Sequence, residues 1–469
     1  MNGLKMKKQI QLLFLLLMSF FHGYSQWALD TLPESMYYAQ RMNLSAVTFD
    51  NKVYFIGGEG MIRETDSVSV YNCLTSSWDS STAFSSPRSM TCSVSGDSGI
   101  YVLGGRHWDY GYGYAYSYYG SRSVDIFKNG TWHTDSIPDS VWGGQAVKVG
   151  SKLLFAGFTD SVDNVVSTIY ASKKVYVYDE STGVWSTDSL SAPRTHLAAA
   201  TNGTLAIFAG GFDGHGLVSD VVDIYNSVTN TWSTASLSVG RAYLAATYLN
   251  GKFYFGGGEL GGSVNYPSDV VDVYDGSSWT VSHLSVPRAK LQAAAINDEV
   301  YFMGGCNVDL GVLTFMDRKP DLGTVDVLNT TSGDWSRKDF NASRANFACA
   351  TWGNLVFAAG GGLYSFCQGS PCGNTFYSSV EIRDVTLGIP GISSEISFDV
   401  FPNPSTGSVT VKLPETRADI IVTDLYGQEI QRIKATGWET KLQIQRNGVY
   451  FVRVETKSGV ATRKVVVSN

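Results

Sequence analysis

The feature that most restricts this chain is a recurring pair of glycines, each closing a short apolar strand: Gly57-Gly58, Gly104-Gly105, Gly210-Gly211, Gly257-Gly258, Gly304-Gly305 and Gly360-Gly361, with Gly157-Phe158 as a degenerate seventh. Self-similarity of this kind signals an array of like units, not one irregular domain. After each doublet come a variable stretch and a Val/Ile-rich strand carrying Tyr71, Phe127, Tyr178, Tyr225, Tyr274 or Leu328; Trp78, Trp132, Trp185, Trp232, Trp279 or Trp335 follows. The unit closes with an Arg and a strand of small residues, as after Arg194, Arg241, Arg288 and Arg344. The aromatic-to-Trp interval is seven residues in four units and five in two. A change of two keeps every side chain on its own face of a strand, whereas a change of one reverses it. The interval therefore predicts a hairpin with a turn of variable length.

Only 16% of the residues are charged, 13% are aromatic and 49 are glycine, which suits short strands and tight turns. The expected class is all-β. The doublet, the Tyr and the Trp, repeating every 47 to 56 residues, resemble the kelch repeat. That resemblance implies a seven-bladed β-propeller over residues 26–386, four strands to a blade around a central channel, with small side chains on the crowded innermost strands. The third unit departs from the pattern, with Phe158 for the second glycine and Trp142-Gly143 where Arg is expected. The seventh has no Trp before the chain changes character. Trp27, with residues 28–32, supplies the missing outer strand, so the amino end is expected to close the last blade and protect strand edges.

Lys5, Lys7 and Lys8 precede an apolar run from Leu12 to Phe21, and Gly23 and Ser25 sit where a signal peptidase reads. Residues 1–25 are thus expected to be a signal peptide, because the run is about half of the roughly 20 residues a membrane span needs. No later segment is long and apolar enough to span, so the processed protein is expected not to be transmembrane. A net charge of −7 repels phosphate and argues against a nucleic-acid partner. Gly388, Pro390 and Gly391 mark a linker over residues 387–395.

Beyond it, alternating strands over residues 396–469 predict a small Ig-like β-sandwich. Its motifs are Pro402, Asn403 and Pro404 with Gly407; Asp424 with Gly427; Gly448 with Tyr450; and Lys464 near the terminus. In that order at the carboxyl end they resemble the type A sorting domain of type IX secretion. The resemblance implies the type IX machinery as partner and a secreted or outer-surface location, the cargo being released or attached to surface lipopolysaccharide.

Loops after the doublets vary most in length, and a rigid ring bearing variable loops on one face is a binding platform. One loop carries Arg106, His107, Trp108, Tyr110, Tyr112, Tyr114 and Tyr116, rigid amphipathic side chains that stack on sugars or bury against protein. Glu59, Asp213, His215 and Glu259 join Arg106 and His107 as polar candidates at the same mouth. The expected function is recognition of an unknown glycan or protein; no catalytic residue, metal or cofactor is assigned. A sugar mutarotase or epimerase using Glu59 or Glu259 with Arg106 and His215 is the rival. Copper chemistry lacks an identifiable Cys partner. Cys367 and Cys372 bracket a short loop whose spacing permits a disulfide.

Overall fold

The structure is a computed structural model describing residues 27–34, 39–60, 63–110, 116–163, 168–261, 266–307, 323–363, 366–367, 370–371, 375–385, 398–413, 415–424, 429–456 and 460–468. The signal peptide and linker expected from the sequence lie outside the described residues. The chain divides into two compact units, Met1–Val385 and Thr386–Asn469.

In the first unit the repeats become antiparallel four-stranded groups. Ala198–Thr201, Leu205–Ala209, Val221–Asn226 and Thr231–Ser236 form one such sheet, and the next repeat repeats it from Ala245–Leu249 to Trp279–His283. The aromatic and the Trp stand directly opposite each other whichever interval separates them, as in Tyr225↔Trp232 and Tyr274↔Trp279. Their rings lie 5.1 and 4.7 Å apart. Thr131–Val149 is long enough to be the outer strand of the second repeat and the inner strand of the third, so those two groups merge. Ala28–Thr31 pairs with Ser379–Asp384, supplying the outer strand of the last group. The innermost strands pack against one another in a closed cycle, Ser45–Phe49 meeting Cys92–Ser95 on one side and Ala348–Trp352 on the other.

The glycines and the Arg hold neighbouring groups in register. The N–H of the second glycine donates to the carbonyl of the next repeat's Arg: Gly58 to Arg88 at 3.0 Å, Gly211 to Arg241 at 2.8 Å, and Gly361 back to Arg41 at 2.9 Å. The first glycine is left-handed, and at Gly210 (φ +69°) a Cβ would lie 2.4 Å from the Arg241 carbonyl oxygen. A side chain there would push the repeats apart.

Each Arg is itself buried and finds a carboxylate on the third strand, giving the pairs Arg88–Asp125, Arg194–Asp223, Arg241–Asp272, Arg288–Asp326 and Arg344–Glu381. Burial lowers every one of these guanidinium pKa values, and the carboxylate opposes the shift. Two repeats solve the charge problem differently. In the first, the third strand has Ser69 where the five paired repeats have Asp or Glu, and Glu34 from the amino-terminal segment reaches Arg41 at 3.5 Å and Ser67 Oγ at 2.9 Å. In the third, the register corrects the sequence alignment. Gly105 donates to Val141 O at 3.0 Å, so Val141, not Trp142-Gly143, occupies the Arg place. Tyr176 replaces the acid, donating instead to Asp139. Cation and anion are lost together, as the cost of an unpaired buried charge requires.

The second unit has a three-stranded sheet, Asp399–Phe401, Ser408–Lys412 and Glu439–Gln443, and a four-stranded sheet ordered Glu429–Thr436, Arg417–Thr423, Gly448–Glu455, Val460–Val467. Val409, Val411 and Leu442 of one sheet share a core with Ile420, Val452, Val454 and Val465 of the other.

Candidate functional site

Two residues after each Arg the backbone turns left-handed: Asn43, Met90, His196, Tyr243, Lys290 and Asn346 have φ between 52° and 57°, and Gly143 takes the same place in the third repeat at 70°. These residues are hydrogen-bonded in succession from repeat to repeat, Met90 N to Asn43 O at 2.9 Å, Gly143 N to Met90 O at 2.9 Å, Tyr243 N to His196 O at 3.0 Å, Lys290 N to Tyr243 O at 3.0 Å and Asn43 N to Asn346 O at 2.9 Å. They immediately precede the innermost strands and so encircle one mouth of the cycle. The residue after each glycine doublet bridges to the residue after the Arg, as Met42↔Glu59, Ser89↔Arg106, Thr195↔Phe212 and Ala242↔Glu259. Glu59, Arg106 and Glu259 are therefore at equivalent positions of their repeats.

Their side chains form a continuous arc with those of the left-handed residues. Glu59, almost fully buried, accepts from Asn43 Nδ2 at 2.7 Å, Ser89 Oγ at 2.8 Å and Arg106 Nη2 at 2.9 and 3.0 Å. The Arg106 guanidinium lies 5.5 Å from the Trp142 ring centroid. Trp142 meets His196 edge-on at 6.2 Å, and His196 and Tyr243 lie 4.3 Å apart. Lys290 Nζ sits 5.0 Å from the Tyr243 ring centre and 3.8 Å from Glu259 Oε1. Burial, with Lys290 and Arg106 nearby, depresses the His196 pKa to about 3, and burial followed by Glu259 raises that of Tyr243. The imidazole is neutral at ordinary pH, and its Nδ1 is buried without a hydrogen-bond partner.

The remaining candidates from the sequence are placed elsewhere. Asp213 Oδ1 accepts from His215 N at 2.8 Å and Leu217 N at 3.1 Å, so it shapes its own turn, while His215 is exposed. Neither joins Glu59 and Arg106 in the contacts of the arc. Physically, an Asx-type turn uses the carboxylate that the sequence reading assigned to the mouth. Arg106–Tyr110 pairs with the start of Tyr116–Lys128 as a hairpin, with His107 exposed and stacked on Tyr119 at 5.8 Å. Trp108, Tyr110 and Tyr116 belong to that backbone ladder. Tyr112, Tyr114 and Cys372 lie outside the described residues, and with Cys372 the disulfide; Cys367 pairs with Ser370. Among the described residues, no group of three or more His, Cys, Asp or Glu is arranged to hold a metal. His196, Tyr243, Lys290, Asn43 and Trp142 were missed. The signal for His196, Tyr243, Lys290 and Asn43 is the unlike residue types two places after an otherwise uniform Arg, whereas Trp142 directly follows Val141 in the Arg place.

In the second unit Asn403 donates from Nδ2 to Lys464 O at 2.7 Å and accepts at Oδ1 from Val466 N at 2.9 Å, so its amide serves as a paired strand residue for the carboxyl-terminal edge. Pro402 and Pro404 flank it, and Gly407 N donates to Ser405 Oγ at 3.0 Å. Gly448 opens the strand that holds Tyr450, whose hydroxyl donates to Arg446 O at 2.9 Å. Asp424 directly follows Arg417–Thr423, and Gly427 lies outside the described residues.

Residues 399–468 match the family described as secretion system C-terminal sorting domain, and residues 40–82 and 193–236 match the kelch motif. No curated protein matches the chain. Solved structures that share the fold include the following two. One, titled "Structure of YjhT", is 16% identical over 66% of this chain and 100% of its own, with a TM-score of 0.50. The other, titled as a fungal alcohol oxidase of the AA5 family in complex with copper, is 12% identical over 95% of this chain and 100% of its own, with a TM-score of 0.55.

Proposed function

We propose that this chain, a kelch-type β-propeller carrying a secretion system C-terminal sorting domain, is an extracellular recognition module that binds a glycan or a protein through the loop-bearing mouth of the propeller. Export would begin with removal of residues 1–25 and be completed by the type IX machinery acting on residues 396–469. The mature protein would be released or attached to surface lipopolysaccharide. The observation that carries the binding reading is the arc from Asn43 to Glu259, where the contiguous rings of Trp142, His196 and Tyr243 are flanked by acids already engaged by Arg106, Asn43, Ser89 or Lys290. A general acid or base needs a proton-transfer atom open to its substrate, and both acids meet cationic neighbours first. Convergence of His215 with Glu59 or Glu259 and Arg106 would favour the rival sugar-converting reading, whereas His215 N donates to Asp213 Oδ1 within its own turn.

The test pairs a glycan array and a protein pull-down with a sugar-turnover assay on the secreted chain. Binding without turnover is expected; turnover of any array sugar would overturn the module reading. Deleting residues 396–469 should leave the protein in the periplasm, and normal surface delivery of that truncation would overturn the sorting role.

A further inference from the structure

We infer that the loop face carries a docking surface for a basic, apolar protein segment, placed where the repeats of Gly210-Gly211 and Gly257-Gly258 meet, beside the arc and not within it. This rests on the binding reading above and commits it to a protein partner. Exposed apolar side chains, a fixed backbone beneath them and charge of one sign converge on it.

Single exposed aliphatic residues are routine on soluble proteins, whereas several together mark a surface that another molecule covers. Leu217 is 62% exposed, Tyr266 59%, and Val239 and Leu260 37% each. They come from three segments that touch. A Cβ at Gly261 would lie 2.9 Å from Val218 Cγ1, and one at Gly240 would lie 3.2 Å from Val218 O, so both glycines press against the residue that follows Leu217. Leu260 directly precedes Gly261, Val239 directly precedes Gly240, and Leu260 N donates to Tyr266 O at 2.9 Å. The four exposed side chains thus belong to backbone that converges on Val218.

That backbone is held in place by the fold itself. Val218 bridges to Phe212, Ser219 N donates to Gly211 O at 2.8 Å, and Leu237 N and Arg241 N donate to Asp220 O and Ser219 O at 2.8 and 3.1 Å. A surface fixed in this way loses little entropy on docking. Its composition favours protein over sugar. Sugar rings stack on flat aromatic faces with polar groups set among them, whereas three of these four exposed residues are aliphatic and suit the apolar side chains of a protein.

Charge sets the sign of the partner. Over residues 213–220, 237–240 and 259–269 the sequence contains Asp213, Asp220, Glu259 and Asp269 and no Lys or Arg. Asp213 is engaged by its own turn, and Glu259 faces Lys290. Asp220 is exposed, and Asp269, whose side chain is 41% exposed, meets His283 Nδ1 at 3.3 Å. These two hold equivalent places, each directly before its third strand, with its carbonyl accepting the N–H of Leu237 or Leu284 at 2.8 Å. Carboxylates bordering an apolar surface attract Lys or Arg and repel Asp or Glu.

The experiment is selection from a random peptide display library on the secreted full chain, counter-selected on Leu217→Ser/Tyr266→Ser, with affinities of the retained peptides measured by fluorescence anisotropy. Both side chains are exposed, so that variant should keep the urea melting of the unaltered chain; Leu74→Ser, at a comparably exposed leucine of the first repeat, is the control. Retained peptides should combine Lys or Arg with Leu, Ile or Phe, bind the double variant at least about tenfold more weakly, and bind Leu74→Ser normally. Asp220→Asn with Asp269→Asn should weaken them several-fold and flatten the dependence on salt. The charge of peptides selected on the unaltered chain is read without any variant. Acidic peptides, or peptides that bind the double variant normally, would sink the inference. An empty selection would sink it too, while glycan-array binding would keep the module reading alive; loss of that glycan binding in Leu217→Ser/Tyr266→Ser would give the surface to a sugar. Silence of library and array alike would sink both.

Discussion

Replacing Asp223 by leucine is expected to cost the folded chain about 3–5 kcal/mol, the usual penalty for stranding one member of a buried ion pair. Both partners are at most 2% exposed, so water cannot solvate the cation left behind. Arg194→Met should cost a similar amount, now stranding the carboxylate. The informative variant is the double one. Arg194→Met with Asp223→Leu removes both charges, and what remains is the loss of donors to Gly210 O at 2.6 Å and Val221 O at 2.7 Å and of the acceptor for Ser191 N at 3.0 Å. Val221 O keeps its bond from Gly210 N, so the residual loss is about 1–3 kcal/mol. Simple addition of the single variants gives about 6–10 kcal/mol, and the coupling is thus about 3 kcal/mol or more.

The assay is a double-mutant cycle by urea and thermal denaturation of the full chain. At about 2.1 cal/mol/K per residue, a unit spanning residues 27–385 should lose roughly 5 °C of melting temperature for ~4 kcal/mol. Each single variant should therefore melt well below the double one. Additive single effects, or a single loss under about 1 kcal/mol, would refute the claim that charge matching governs these sites. The third repeat is the natural form of the double variant, with Val141 and Tyr176 in the two places.

Three further outcomes are expected. Glu34→Gln should destabilise the propeller by about 2–4 kcal/mol, because Arg41 has Ser69 and no third-strand acid to fall back on; the reciprocal change Ser69→Asp in that background should restore much of the loss in urea melts, and no rescue would show that Glu34 does not act as the missing acid. Acid should weaken the fold through His196: its pKa is about 3 folded against an ordinary value near 6.5, so the unfolded chain binds the extra proton, and stability falls as pH drops from about 6.5 towards 3 by up to ~1.4 kcal/mol per unit. His196→Phe should flatten that part of the profile in pH-dependent denaturation, and an unchanged slope would place the acid sensitivity elsewhere. Asn403→Ala should loosen the carboxyl-terminal edge strand, raising amide exchange at Val466 with a stability loss of only about 1 kcal/mol; unchanged exchange would show that the amide does not hold that edge.

Much of the scaffold was legible because it depends on parity and on residue size. Intervals of five and seven residues both place the aromatic opposite the Trp, since a strand repeats every two residues. The glycines and the Arg were equally visible, though not their joint task of tying one repeat's doublet to the next repeat's Arg carbonyl. The acid partners were harder to see. Asp125, Asp223, Asp272 and Asp326 stand two residues before the marked aromatic or leucine, where they resemble solvent-facing strand residues until the Arg is known to be buried against them. Glu34 has no repeat position at all and is recognisable only by what Ser69 lacks. The arc was legible by halves: Glu59, Arg106 and Glu259 directly follow a doublet and stand out in the sequence, whereas His196, Tyr243 and Lys290 occupy left-handed positions that local propensity disfavours for such residues.

That division has a physical origin. The glycine doublet and the Arg carbonyl meet across neighbouring repeats, and the third-strand acid neutralises the buried Arg of its own repeat, so each must satisfy a contact repeated around the cycle, and their residue types are nearly uniform. The left-handed position two residues after the Arg contributes only its backbone to that contact, through N–H and carbonyl groups that any residue possesses. Its side chain is released from the requirements of the ring and projects where the repeats meet at the mouth. Asn43, Met90, Gly143, His196, Tyr243, Lys290 and Asn346 therefore share a conformation but not a chemistry. A scaffold arranged in this way can change the chemistry of its mouth, one repeat at a time, without disturbing the pairs that keep it closed.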